Sequence, residues 1–149
     1  SSINVRNEEF RDFLLYNLGG VYSFKVYTQQ IDTTTFSLSI KDKSKLEKHK
    51  TIITGKSGKD GAGKYSSRLN PDKTVTLLNF DMSDLVRKIE TIFGVVAQTR
   101  EEDKSGYDFE SINMSNINVL NNELLNKYGI CLVAESKKIE FLIIEKVYR

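Results

Sequence analysis

Cysteine, proline, histidine and tryptophan are nearly missing from this chain of 149 residues, which holds one cysteine, one proline, one histidine and no tryptophan. The single cysteine, Cys131, excludes an intrachain disulfide, so burial and hydrogen bonding must hold the fold. Its place in the alternating run Ile130–Val133 predicts a buried, inert thiol, because a reactive one needs an electropositive, partly open setting. A lone histidine, His49, with no cysteine cluster argues against a zinc site. His49 sits in the lysine-rich run Lys41–Lys50, so no serine or cysteine nucleophile has a histidine partner in view. No apolar run approaches the roughly 20 residues that span a bilayer. The opening at Ser1 does not read as a signal peptide, and the strand-like Ile3–Val5 is the start expected of an excised domain or a processed mature form. Charge of one sign is lacking as well: the formal net charge is +2, which singles out neither nucleic acid nor a membrane surface as partner.

What is present is an ordinary globular balance, 39% hydrophobic and 28% charged, which lets a chain of this length bury a core of its own. One domain over 1–149 is expected, with two pseudo-repeated halves, about 1–50 and 74–149, joined by a basic Gly/Lys-rich loop over 51–73. A supersecondary pattern occurs three times: an extended stretch, a short amphipathic helix, then one or two alternating strands. The copies begin at Ile3-Asn4-Val5, Leu78-Asn79-Phe80 and Ile112-Asn113-Met114, with helices expected over Glu8–Leu18, Met82–Phe93 and Asn118–Tyr128. Asp81 or Ser83 caps the second helix and Gly94 ends it; the third closes at Tyr128-Gly129.

Strands are expected over Val21–Gln29 and Phe36–Lys41, paired antiparallel across the polar stretch Gln29–Thr34. Ile130–Glu135 and Ile139–Val147 read as a terminal hairpin around Ser136-Lys137-Lys138, with Ile139–Val147 apolar on both sides and therefore central. Gly55–Pro71 reads as a long exposed loop, and between Lys41 and Lys73 ten basic residues face four acidic ones, concentrating positive charge there. The expected core is Phe10, Phe13, Leu14, Phe24, Phe36, Leu38, Leu85, Ile89, Phe93, Leu124, Leu125, Leu132, Phe141 and Ile143. The class is α+β, built from repeated strand-helix-strand-strand units with three short helices packed on an antiparallel or mixed sheet.

Few residues carry candidate chemistry. Gly58–Tyr65 imitates a phosphate-binding loop, but Tyr65 stands where Ser or Thr must reach magnesium, and no helix follows to aim its amides at a phosphate. Lys56, Lys59, Lys64, Tyr65 and Arg68 form a candidate interaction loop; scattered over polar sequence, they lack the ordered basic face of a nucleic-acid binder. Glu101, Glu102, Asp103 and Asp108 are dense, yet three are consecutive on an expected turn beside Arg100 and Lys104, which favours solvated carboxylates over a catalytic pair. The aromatics Tyr22, Phe24, Tyr27 and Phe36 are spaced as core or cross-strand residues. The opening and closing strands are candidates to accept a partner strand. No enzyme, cofactor or metal is expected.

Met82–Ile89, Val95–Thr99 with Lys104–Phe109, Leu120–Leu132 and Ile139–Lys146 together resemble the conserved stretches of the domain of unknown function 3738 family. That pattern's histidine, arginine and proline are replaced here in Phe13–Leu46, and its glycine-rich turn is shortened to Lys104-Ser105-Gly106. The helix-then-hairpin units are also similar to the short N-terminal domains of secretins and TonB-dependent receptors. The family consists of exported bacterial proteins, some found beside thioredoxin-like domains. The resemblance implies a non-catalytic module in the periplasm or otherwise outside the cytoplasm, structural or contacting another protein or a fused, thioredoxin-like domain. The alternative is a small-ligand or glycan-binding domain that uses its aromatics and the 55–68 loop.

Overall fold

A computed structural model describes residues 2–3, 12–13, 16, 24–52 and 65–147. The chain is α+β. Its elements run β1 (Ser2–Ile3), β2 (Phe24–Ile40), α1 (Lys43–Glu47), β3 (Ser66–Leu69), β4 (Val75–Phe80), α2 (Met82–Phe93), β5 (Val96–Thr99), β6 (Tyr107–Ile112), α3 (Ile117–Glu123), a π-turn (Leu124–Tyr128) and β7 (Ile130–Lys146). The strands form two sheets, one ordered β1-β7-β2-β5 and the other β3-β4-β6. Asp12, Phe13 and Tyr16 are helical; the rest of the expected Glu8–Leu18 helix lies outside the described residues, as do Phe10, Leu14 and the side chain of Phe24.

The chain divides into two compact units, one of residues 1–33 and 136–149 and one of residues 34–135. In the first, β1 pairs antiparallel with β7, Ser2 opposite Ile143 and Ile3 opposite Leu142. Leu142 is buried there, and the Tyr27 hydroxyl donates to Glu145 at 2.8 Å.

The second unit holds the main core. β5 runs parallel to β2, from Thr35 opposite Val96 to Leu38 opposite Thr99. The Lys41 amide donates to Gly129 O and the Thr35 hydroxyl to Glu135 O, so β2 and β7 run in opposite directions. In the other sheet, β3 and β6 flank β4 antiparallel, and Leu77 opposite Phe109 and Val75 opposite Ile112 bring buried side chains together.

Helix α2 starts where acid chemistry tells it to. Asp81 accepts from the Asp84 amide at 2.8 Å and Asp84 reaches back to the Asp81 amide, a reciprocal capping box. Met82, Leu85, Val86 and Ile89 recur on one face and are buried, whereas Ile92, expected on the same stripe, is 39% exposed in the last turn. Gly94 closes the helix in the left-handed conformation, φ +62°.

Several expectations need correction. Phe24–Ile40 is one continuous strand rather than two joined across Gln29–Thr34. That stretch contains neither glycine nor proline, and its threonines and isoleucine favour extension, so nothing in it reverses the chain. Ile130–Lys146 is likewise one strand; Ser136-Lys137-Lys138 holds none of the glycine, asparagine or aspartate that a two-residue hairpin turn demands. β7 lies between β1 and β2, so it is interior, as its two apolar faces predict, and the closing strand is not an open edge. Ser66–Leu69 is a strand instead of loop, joined to β4 by a turn in which the Asn70 side-chain amide donates to the Thr74 and Thr76 hydroxyls, both at 2.9 Å.

The expected core is met at Leu38, Leu85, Ile89, Leu124 and Leu132, all buried, with Phe36 and Phe93 packed against them. Phe13 is 59% exposed and Leu125 40% exposed, against expectation. Tyr107, Phe109, Leu46, Leu77 and Ile112 fill the core in addition. Cys131 is half-buried rather than buried.

Candidate functional site

The expected interaction loop is only partly in view. Lys56, Lys59 and Lys64 lie outside the described residues. Tyr65 is exposed and meets Phe80 edge-on, ring centroids 5.4 Å apart, beside a hollow of about 200 Å³ that it shares with Asp84, Arg87, Lys88 and Thr91 of α2. Arg68 lies on β3, its Nε donating to Asn70 Oδ1 at 3.3 Å, and does not line that hollow.

Three of the acids read as solvated are tied into the fold. Glu101 accepts the Ile40 amide at 2.8 Å. Asp108 accepts from the Thr51 hydroxyl at 2.7 Å and from the Asn79 amide at 2.9 Å. Asp103 binds the ammonium of Lys43 and the amide of Ser105. Long-range pairing, not local spacing, decides these roles.

Asp103 belongs to a network around the buried Tyr107. The Tyr107 hydroxyl accepts from Lys43 Nζ at 3.0 Å, and its single proton has two carboxylates in reach, Asp103 at 2.8 Å and Glu47 at 3.1 Å. Lys43, then Ser105 and Tyr107, hold the Asp103 carboxyl well below the usual carboxylate range. Asp103, then Tyr107, raise the Lys43 ammonium above the usual lysine range. Burial pushes the Tyr107 hydroxyl up. Each group is therefore locked in one protonation state near neutral pH. The network clamps α1 to the segment before β6 and is not poised to pass a proton.

A different place gathers groups that are not so spent. A cleft of about 460 Å³ opens in the 34–135 unit, lined by Lys48, His49, Lys50 and Ile52 after α1, Asp108 and Glu110 of β6, and Lys127 and Tyr128 of the π-turn. His49 is fixed by its backbone: its amide donates to Leu46 O at 2.9 Å and its carbonyl accepts from Asp108 at 2.8 Å. Its imidazole lies on the Tyr128 ring, centroids 4.4 Å apart, and Tyr128 in turn packs on Phe109 at 4.9 Å. The Tyr128 hydroxyl accepts the Glu110 amide at 3.2 Å, and burial raises its pKa.

The backbone around this cleft is unusual. Tyr128 and Lys127 reach it from a π-turn, a geometry over-represented at functional sites, which ends at Gly129 with φ +67°. Asn79 and Ser111 both take positive φ, +58° and +50°, where the β4–β6 register slips. Such conformations cost about 1–3 kcal/mol each and cluster beside functional sites.

Lys50 is paired with Glu47 at 3.6 Å and Lys127 with Glu123 at 2.6 Å. The Lys48 ammonium, the Glu110 carboxylate and the His49 imidazole make no hydrogen bond or ion pair among the described residues. Sequence reasoning passed over this site: His49 stands alone in its local run, and Tyr128 and Glu110 join it only through the fold. A lone histidine among lysines was the one available signal.

No group of three or more His, Cys, Asp or Glu that would hold a metal occurs among the described residues. No helix among them is long and apolar enough to cross a membrane. No family model matches the chain, and neither a curated protein nor a solved structure matches it.

Proposed function

We propose that the chain is a non-catalytic binding module whose His49 cleft is its point of recognition. The observation that carries this reading is a division of labour among polar groups. Asp103, Asp108 and Glu101 are occupied in internal hydrogen bonds, while the Lys48 ammonium, the His49 imidazole and the Glu110 carboxylate line an open cleft with no hydrogen bond or ion pair among the described residues. The expected partner is another protein or a fused domain, thioredoxin-like and outside the cytoplasm by the family resemblance. A small ligand is the second reading, favoured by the cleft volume of about 460 Å³, inside the range of roughly 300–1,000 Å³ typical of small-molecule sites.

The test is capture from a bacterial envelope extract by the immobilised chain and by a Lys48→Ala/Glu110→Ala variant with unchanged circular dichroism and melting. A species held by the wild type and lost by the variant supports the proposal. Equal retention by both, or turnover of a compound that the double substitution abolishes, overturns it.

A further inference from the structure

We infer that the His49 cleft takes a zwitterionic ligand of amino-acid or dipeptide size, its ammonium set against Glu110 and its carboxylate against Lys48. The inference rests on the binding reading of the same cleft.

Charge in the cleft is segregated by element. The acids Asp108 and Glu110 come from β6; the cations come from the segment after α1 and from the π-turn. Three of the five ionic groups are already engaged: Lys50 by Glu47, Lys127 by Glu123, and Asp108 by Thr51 and Asn79. Among the described residues one cation, Lys48, and one anion, Glu110, remain, and they line one cleft without forming an ion pair with each other.

A ligand of a single sign would suit one of these groups and be repelled by the other. A ligand bearing both charges suits both, and its two charges fix its orientation. In the same cleft, the half-buried His49 ring is backed by Tyr128, and Ile52 adds an apolar surface. That arrangement favours a planar or apolar side chain on the ligand. The backing by Tyr128 and Phe109 holds the ring, and the tie from the Tyr128 hydroxyl to the Glu110 amide holds the backbone that carries the Glu110 side chain, before anything binds.

The chain's single histidine gives a single imidazole signal, so nuclear magnetic resonance reports directly on the cleft. The probes are L-phenylalanine, N-acetyl-L-phenylalanine, L-phenylalaninamide and inorganic phosphate, with affinities from calorimetry. The expected result is a saturable shift of the His49 signal by phenylalanine, with affinity falling about tenfold or more when either charge is blocked. Glu110→Gln should erase the preference for phenylalanine over its N-acetyl form. Lys48→Gln should erase the preference over the amide. If the N-acetyl compound or phosphate binds as tightly as phenylalanine, the cleft is an anion site: the zwitterion inference falls and the binding reading stands. If no probe moves the signal while a captured partner does, the inference falls in the same way. If neither probe nor partner moves it, both fall.

Discussion

The imidazole of His49 lies on the ring of Tyr128 at 4.4 Å, its plane tilted by 58°, and this contact joins the segment after α1 to the π-turn. Tyr128 also serves the neighbouring strand, because its hydroxyl accepts the Glu110 amide at 3.2 Å. Tyr128→Phe keeps the ring contact and leaves that amide without its acceptor. The expected loss is about 1–3 kcal/mol, the cost of an unsatisfied, part-buried donor, measured by urea unfolding.

Gly129 and Gly94 both end helical segments at positive φ, yet they should answer differently to alanine. A Cβ on Gly129 would sit 2.5 Å from the Asp42 carbonyl oxygen and 2.7 Å from its Cβ, so the backbone that receives the Lys41 and Asp42 amides would have to move. A Cβ on Gly94 meets nothing within 4 Å. Gly94→Ala should cost about 1 kcal/mol for the left-handed conformation alone. Gly129→Ala should cost clearly more, and thermal melts of the two variants side by side check the order.

Asp103→Asn should change how stability depends on pH. The Asp103 carboxyl is held below the usual carboxylate range, chiefly by Lys43, so its contribution is fully present above about pH 4 and is lost as the pH falls further. Lys43 is shifted upward, so its share is present below the usual lysine range and is lost only in strong alkali. The variant should be less stable at pH 7, by about 1 kcal/mol because Lys43 is half exposed and the pair is partly screened. The gap should narrow as the pH drops below about 4. Melting temperatures between pH 7 and pH 2 test both the sign and the window.

Two adjacent leucines separate core from surface. Leu124 is fully buried, whereas Leu125 is 40% exposed where the π-turn widens the helix. Leu124→Ala should cost about 2–5 kcal/mol, and Leu125→Ala less than about 1 kcal/mol. Chemical unfolding of each variant gives the comparison.

Local signals accounted for the parts of the fold that local chemistry controls. Met82–Phe93 is legible from its apolar spacing, its capping residue and Gly94; of the two candidate caps Asp81 is the one used, and of the expected stripe Ile92 alone is exposed. The α+β class and the interior position of β7 follow from the alternation of short helices with strands and from the apolar faces of Ile139–Val147. Polarity misled where it stood in for a turn: Gln29–Thr34 and Ser136–Lys138 are polar and still extended, and neither contains glycine, proline or asparagine. Helix α1 is too short for periodicity to show, and only the Asp42 cap and the buried Leu46 mark it. The cleft was hidden for a further reason. His49, Glu110 and Tyr128 come from three elements, and no spacing along the chain relates them.

Because the chain has one histidine, the most direct measurement follows the His49 imidazole resonance while protein and small-molecule fractions of an envelope extract are added. The expected result is that a fraction whose component is retained by the chain shifts this resonance, and that Lys48→Ala/Glu110→Ala abolishes both the shift and the retention. A component held firmly by the chain while the His49 resonance stays in place would contradict it.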